Sequence, residues 1–494
     1  MKLATSAQIR KLDSLAVSDF GMSDEQLMEN AAWALYENIT RDFSMKNPYA
    51  VFCGKGKNGG DGMFFACNVV KMGGKAKIYL CCDDEEKLHP LTKKGLEKAR
   101  EMNIEVSGFR ESVEKDAIII DALLGIGISG APEGDIKTAI DIINLYPNKV
   151  ISVDIPSGLN ADNGKYYGSV IHPVATYTLA MEKIGLNLYP GKEICGEKKL
   201  LDIGIPKNAE KQLNITCVLA DKDFATETLP KRKPDSHKGD YGKIGIIGGS
   251  QGMSGSVCLA ATAALKAGAG LVYVFVPDDI INTVSIKLTE VIVLKESQIE
   301  NYLDKLTSIA IGMGHQNNPK AKNILKTVLQ KFTGNVVIDA DAINILATDT
   351  KLLSKKKCKT VLTPHMVEFS RLTKLTLNNI NDNKILHAQK YAKEFNSTIL
   401  LKGAATVITD DSNRIIINSS GNSGMATAGS GDVLSGIIAS LLSQINDEFV
   451  APALGAYLHG LSGDLAKEDL TEYCITASDL INYLPKAIKN IINV

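Results

Sequence analysis

The chain has 494 residues, too many for one core and natural for two domains of roughly 200–280 residues each. Lysine plus arginine (55) nearly balances aspartate plus glutamate (56), which gives no electrostatic case for a nucleic acid or an anionic membrane surface as main partner. Nine scattered cysteines, none in a Cys-x-x-Cys pair, argue against a zinc site or a disulfide framework and fit a reducing cytosol.

Met1 to Arg10 lacks the apolar run of a secretory leader, and no uninterrupted apolar stretch of about 18 residues follows, so a cytoplasmic protein without a membrane span is expected. Ser6 to Thr40 reads as helical, with a cap near Ser23-Asp24. Tyr49–Cys53 is a short apolar run that ends in a glycine-rich segment, Gly54-Lys55-Gly56-Lys57-Asn58-Gly59-Gly60-Asp61-Gly62. A helix is predicted to resume over Phe64–Met72, followed by a strand over Lys77–Cys81. Ala117–Ile120 and Val150–Val153 read as buried strands that end at Asp121 and Asp154. Alternation of this kind predicts a mostly parallel sheet with helices on both faces, and ligands gather at the carboxyl ends of such strands.

The character changes around Leu213–Asp240. The stretch Leu229–Gly239 is polar and basic and carries Pro230 and Pro234, so it is expected to be a linker or entry loop. The boundary is placed near 212–225: a first domain over 1–212, a linker segment over 213–239, and a second domain over 225–494. Ile244–Gly248 opens the second series of strands, continued by Leu271–Val276, Ser308–Ile311, Val336–Ile338, Thr360–Leu362 and Thr398–Leu401. Helical segments such as Ser256–Ala267 lie between them, which makes this a second α/β domain.

In the first domain three features fall on one sheet edge. Glycine-rich turns let backbone N–H groups converge on an anion, and a helix start adds its dipole. Asn58 and Asp121 offer oxygen ligands to a hard cation. Gly125-Ile126-Gly127-Ile128-Ser129-Gly130-Ala131 is a second glycine-rich turn, and Asp154-Ile155-Pro156-Ser157-Gly158 ends a strand with a carboxylate, a rigid turn and a hydroxyl. The bland alternative is that such aspartates only cap helices or form turns. Together, Asn58–Gly62, Asp121-Ala122-Leu123-Leu124-Gly125 and Val153–Gly158 resemble the YjeF N-terminal family, whose enzymatic members are NAD(P)H-hydrate epimerases. The resemblance implies a Rossmann-like domain with K⁺ near Asn58, Asp121 and Ser157. It also implies substrate contacts at Lys57, Asn58, Gly59, Gly60 and Asp61, at Gly125, Ile126, Gly127, Ile128, Ser129, Gly130 and Ala131, and at Asp154. The family commonly has a second asparagine where this chain has Lys57, and a lysine there reaches a substrate phosphate instead. Epimerisation needs a carboxyl within reach of the hydrate's hydroxyl, and Asp154 is assigned that acid/base role.

In the second domain Ala428-Gly429-Ser430-Gly431-Asp432 precedes the apolar helix Val433–Leu442. Glycine N–H groups and the helix dipole suit a transferring phosphoryl group, and Asp432 is either a base for a substrate hydroxyl or a helix cap. This loop resembles the anion hole of ribokinase-like kinases. Ser236–Gly242, Gly248-Gly249-Ser250, Asp339–Ala342, Leu362–His365 and Lys402–Thr406 narrow the resemblance to the ADP/ATP-dependent NAD(P)H-hydrate dehydratases. It implies that Lys402, Gly403, Ala404, Ala405 and Thr406, with Asn422, Ala428, Gly429, Ser430 and Gly431, hold ADP or ATP with Mg²⁺. It further implies that Gly255, Gly314, His365 and Asp432 contact the hydrate. His365-Met366-Val367-Glu368 stands where the family often reads His-Pro-Gly-Glu.

The expectation is therefore α/β throughout: two three-layer domains, Rossmann-like then ribokinase-like. The first interconverts the R and S forms of NADHX and NADPHX. The second dehydrates the S form with ADP or ATP. The alternative is a small-molecule kinase fused to a non-catalytic nucleotide-binding or scaffold domain. A homo-oligomer is expected, and the apolar residues around Trp33 are either core or an oligomer contact.

Overall fold

The computed structural model describes residues 1–128 and 130–492. Ser129, one of the expected substrate contacts, lies outside the described residues. Two compact units divide between Ile215 and Thr216.

The first unit is built on a seven-stranded sheet. Its strand order is Val106–Gly108, Ala76–Leu80, Tyr49–Cys53, Ile118–Ala122, Val150–Val153, Ala175–Leu179, Glu197–Leu201, with every neighbouring pair parallel. Tyr49–Cys53 and Ile118–Ala122 are buried along their whole length, as central strands covered on both faces must be. The order reverses between these two strands, which opens a crevice beyond their carboxyl ends. A short parallel pair lies apart, with Ala4 opposite Lys183.

Ser6–Thr40 is two helices, Ser6–Ser18 and Asp24–Phe43. Ser23 caps the second, accepting from the Gln26 N–H at 3.0 Å, with Asp24 and Glu25 favouring its positive end. Trp33 is half-buried on the unit's own core, edge-on to Tyr36.

The helix expected over Phe64–Met72 runs instead over Lys57–Lys71. Asn58 to Gly62 are thus helix, not loop. Glycine reads as a breaker in sequence, but here it permits close packing. A Cβ on Gly59 would stand 1.9 Å from the Gly54 carbonyl oxygen, and one on Gly62 would stand 2.5 Å from the Ala122 Cβ. None of the five glycines from Gly54 to Gly62 needs a positive φ.

The second unit has the strand order Ile292–Lys295, Leu271–Val276, Lys243–Ile247, Ser308–Ile311, Asn335–Ile338, Lys359–Leu362, Thr398–Leu401, Val407–Thr409, Ile415–Asn418, Cys217–Ala220. Only the two pairings made by Val407–Thr409 are antiparallel. The first part of the expected linker is ordered structure of this unit. Cys217–Ala220 pairs in parallel with Ile415–Asn418, and Lys222–Thr228 is a helix capped by Asp221. The order reverses again between Lys243–Ile247 and Ser308–Ile311.

Across this crevice helix Ser430–Leu442 crosses helix Ser254–Lys266 at very short range. A Cβ on Gly436 would lie 2.1 Å from the Ala260 carbonyl oxygen, so only glycine fits that crossing. One turn back on each helix, the same crossing brings Asp432 to Ser256. Among the described residues no helix is long and apolar enough to cross a membrane.

Candidate functional sites

The first crevice is lined by two strand ends and a helix start. Asp121, fully buried in Ile118–Ala122, collects hydrogen bonds from the Ser152 hydroxyl (2.7 Å), the Ser157 N–H (2.9 Å) and the Ser157 hydroxyl (2.5 Å). Burial pushes its carboxyl up, and the bonds from Ser157 and Ser152 oppose that. Ser157 Oγ also contacts the Leu124 carbonyl oxygen at 3.2 Å, and Asn58 Nδ2 donates to that oxygen at 3.0 Å. The structure thus gathers Asn58, Asp121 and Ser157, far apart in sequence, around one backbone carbonyl.

Asp154 follows strand Val150–Val153 with φ at 67°, in the left-handed region that aspartate tolerates better than bulkier residues. Its Oδ1 accepts from the Leu179 N–H at 3.0 Å and from the ammonium of Lys183. Lys183 is completely buried and spends its other two protons on Thr178 Oγ1 (2.9 Å) and the Leu179 carbonyl (2.8 Å). Sequence reasoning missed Lys183. The signal was a pair of charges, Glu182 and Lys183, between Tyr177–Met181 and Ile184–Leu188, where a charge survives burial only with a partner.

Asp61 lies in the same field. Burial, reinforced by Asp154 and Asp13, pushes its carboxyl well above the usual range. Lys57 is half-exposed and pairs with Asp24 at 2.7 Å, so it marks the rim. Gly125 packs on Asn58, and the Ile126 carbonyl accepts from Arg10 Nη2 at 3.4 Å.

In the second crevice Gly429, with φ at 85°, is the N-cap of helix Ser430–Leu442. Asp432 is therefore not the cap. It sits in the first turn, and its carboxyl is pushed up to about 6 by burial and by Asp339, against a hydrogen bond from Ser256 and the charge of Lys402. Asp339, 1% exposed, ends strand Asn335–Ile338 and accepts from Lys402 Nζ and Ser435 Oγ, both at 2.7 Å. A Cβ on Gly431 would stand 3.3 Å from Lys402 Nζ. The lysine is thus held beside the glycine turn. Ser430 Oγ lies 3.3 Å from the buried His459 Nε2, and burial depresses that imidazole to about 4, keeping it neutral.

His365 caps helix Met366–Thr373. Its Nδ1 accepts from the Val367 and Glu368 N–H groups, and Glu368 Oε2 accepts the His365 N–H at 2.8 Å. Burial lowers the His365 pKa and raises Glu368 to about 7. The His-x-x-Glu spacing is a capping box, a signal that sequence reasoning passed over in favour of substrate contact.

Gly314, with φ at 60°, stands between Met253 and Ser256, and its carbonyl accepts from Ser250 Oγ at 2.9 Å. Beyond it opens a cavity of about 300 Å³ that includes Glu296, His315 and Lys320. The space around Gly255 is open. Gly403 and Thr406 close a tight turn through Thr406 Oγ1. Asn422 caps its own short turn and bonds Asp464 at 3.0 Å.

One unit has a parallel sheet with Asp121, Ser157 and Asn58 hydrogen-bonded at its crevice, and the other has a parallel-stranded sheet with a carboxylate in the first turn of a glycine-capped helix: the class is an α/β enzyme with a candidate site in each unit. Residues 24–185 match the family described as YjeF-related protein N-terminus, and residues 244–486 match the family described as NAD(P)H-hydrate dehydratase. A bifunctional NAD(P)H-hydrate repair enzyme of Moorella thermoacetica is 37% identical, with 99% of this chain and 97% of that protein aligned. The ADP/ATP-dependent NAD(P)H-hydrate dehydratase of Bacillus subtilis, co-crystallised with ATP and Mg²⁺, superposes with a TM-score of 0.52 at 28% identity over 55% of this chain and 98% of that one. A ribokinase-like superfamily protein of Enterococcus faecalis gives 0.51 at 29% identity, over 56% and 98%. The chain belongs to the family of bifunctional NAD(P)H-hydrate repair enzymes.

Proposed function

We propose that this enzyme repairs hydrated NADH and NADPH in two steps, each in its own unit. In the first, Asp154 exchanges a proton with the hydroxyl on the ring carbon next to nitrogen. The nitrogen lone pair expels water, and readdition from the other face inverts the centre. Lys183 holds the Asp154 carboxyl in one orientation. Asp121, Ser157, the Leu124 carbonyl and the Oδ1 of Asn58, whose Nδ2 donates to Leu124, are the oxygens that would hold K⁺, and a cation there would fix the turn that follows Leu124.

In the second step Asp432 takes the proton of the S-hydrate's hydroxyl, which attacks the terminal phosphoryl of ADP or ATP. The N–H groups at Gly429–Gly431 and the ammonium of Lys402 face the charge that develops. Phosphate then leaves far more readily than hydroxide: the ring nitrogen drives it out to give an iminium, and loss of a proton from the neighbouring ring carbon to the departing phosphate regenerates the dihydropyridine of NAD(P)H. Mg²⁺ keeps much of its water and is bound by substrate phosphates with one or two carboxylates; Asp339, Glu368 and Asp432 all act on Lys402, and the first two would be free to take that part. Mg²⁺ would neutralise the phosphates when bound.

The observation that carries the reading is the half-buried Asp432, freed from capping by Gly429 and set beside Lys402. The fused kinase–scaffold alternative is not favoured, because Asn58, Asp121 and Asp154 are all engaged at one crevice and the full-length relatives are repair enzymes. The test uses purified chain with a mixture of both NADHX epimers, Mg²⁺, K⁺, and ADP or ATP in parallel. Nucleotide-dependent return of dihydropyridine absorbance for the whole pool is expected. A stable phosphorylated product without that absorbance would refute it.

A further inference from the structure

A turn that grips phosphate with its backbone N–H groups has few side chains of its own to hold it in shape. The stretch Gly421–Gly431, between strand Ile415–Asn418 and the start of helix Ser430–Leu442, is of this kind, and none of its residues is buried. Before that helix its regular structure is one short turn, Ser423–Met425. What fixes it must come from a neighbour.

The neighbour is helix Val450–Leu470, which is buried continuously from Ala451 to Gly460. Two of its glycines let the stretch lie against it. A Cβ on Gly460 would stand 2.7 Å from the Ser420 carbonyl carbon, and one on Gly463 would stand 2.6 Å from Met425 Cγ. The Ser420 hydroxyl donates to the Tyr457 carbonyl at 2.8 Å. Two side chains of the helix then hold the ends of the stretch. Asp464 Oδ2 accepts the Gly421 N–H at 2.8 Å, and its Oδ1 accepts from Asn422 Nδ2 at 3.0 Å. At the other end His459, 8% exposed, sets its Nε2 3.3 Å from Ser430 Oγ.

These contacts limit what Asn422 has to offer a nucleotide. Its Oδ1 accepts the Gly424 N–H at 3.0 Å and its Nδ2 spends one proton on Asp464, so a single amide proton is left over. Asn422 is first of all the link between the Asp464 carboxylate and the turn. Ser430 is linked to His459 in the same way. It stands between Gly429 and Gly431, two residues before Asp432. Neither Asp464 nor His459 has a part in the chemistry proposed above.

We propose that Asp464 and His459 are positioning residues of the dehydratase. The carboxylate fixes the entry of the nucleotide-binding stretch through Gly421 and Asn422, and the imidazole fixes its exit through Ser430. The proposal rests on the reading of that stretch as the ADP or ATP site. Donors already in place when the nucleotide arrives need no further ordering, which favours both binding and transfer. The two ends act on different steps. Asn422 is at the end of the stretch away from Asp432, so loss of Asp464 weakens nucleotide binding. Ser430 is in the same helical turn as Asp432, so loss of His459 slows transfer.

The experiment measures dehydration of S-NADHX by the full chain with Mg²⁺, varying ADP or ATP and the hydrate in turn. Asp464→Ala should raise the nucleotide KM about 10- to 100-fold, the scale of hydrogen bonds to a charged group, with kcat and the hydrate KM little changed. Asp464→Asn, which keeps one acceptor, should fall between. His459→Phe should lower kcat about 3- to 10-fold, and His459→Gln, whose amide reaches the Nε2 position, should restore most of it. Asn422→Ala should add little to Asp464→Ala, because both break the same link. A purely structural role would raise both KM values together; that result, or an unchanged nucleotide KM, overturns the Asp464 assignment. Full additivity of Asn422→Ala and Asp464→Ala overturns the route through Asn422. A wild-type kcat in His459→Phe, or a loss that His459→Gln does not restore, overturns the His459 assignment. If Asp464→Ala does not fold, Asp464→Asn decides by the same two KM values. A wild-type chain that dehydrates nothing with either nucleotide fails the underlying reading, and this inference with it, before any variant is compared.

Discussion

Asp432→Asn should inactivate the dehydratase and stabilise the unit that carries it. Asp432 titrates at about 6 instead of 3.8. Each tenfold change in proton affinity is worth about 1.4 kcal/mol, so holding this carboxylate ionised costs the folded unit about 3 kcal/mol. The sign follows from the raised folded-state value. Below about pH 4 the group is neutral in both states and costs nothing; the cost grows from there to about pH 6 and is complete above it. A neutral, isosteric amide removes the cost and can still accept from Ser256. At pH 8 the variant should gain up to about 3 kcal/mol, or roughly 5–10 °C in melting temperature at this domain size, and at pH 4 it should match wild type. The assay is denaturant or thermal melting, following the transition that ADP with Mg²⁺ shifts, since bound nucleotide stabilises only the unit that binds it. In parallel, dehydration should fall by about 100-fold or more. A variant less stable than wild type at pH 8 would refute the reasoning and show that the ionised carboxylate is net stabilising in the first turn, through Ser256 and the helix dipole.

Lys183→Met should strip the buried Asp154 of its counter-charge, destabilising the first unit by about 3–5 kcal/mol and abolishing epimerisation; ADP-dependent consumption of the S epimer should continue, and chromatography of both epimers reads the difference. Gly436→Ala places a methyl 2.1 Å from the Ala260 carbonyl oxygen, a backbone contact that cannot yield, so a loss of more than about 4 kcal/mol is expected and the nucleotide-shifted transition should disappear from the melt. Replacing K⁺ by tetramethylammonium should slow epimerisation and leave dehydration unchanged; equal loss in both would place the monovalent cation outside the Asn58, Asp121 and Ser157 cluster.

Strands that run through the centre of each sheet were legible because they are continuous apolar runs closed by a turn residue. Val150–Val153, Leu271–Val276, Ser308–Ile311 and Thr398–Leu401 fall where the pattern puts them. Asp121 and Asp154 were legible as carboxylates at the ends of such runs, and Asp432 as one at a glycine-rich helix start. What escaped depends on partners distant in sequence. Cys217–Ala220 is as long as strands that were read, but it falls in the stretch taken for a linker and is a strand only because Ile415–Asn418 lies beside it. The early start of helix Lys57–Lys71 depends on glycines that serve close packing, a use sequence does not separate from turn formation. Lys183 lies outside every motif, and it matters only through the carboxylate that folding places beside it.

The central claim is that one chain carries two independent chemistries at two separable carboxylates. Its most direct measurement is the time course of R- and S-NADHX, separated by chromatography, with ADP or ATP present and with Asp154→Asn and Asp432→Asn compared. The account predicts that Asp432→Asn only interconverts the epimers, and that Asp154→Asn consumes the S form while R persists at its spontaneous rate of loss. Continued repair of either epimer by Asp432→Asn, or repair of R by Asp154→Asn at the wild-type rate, would contradict it.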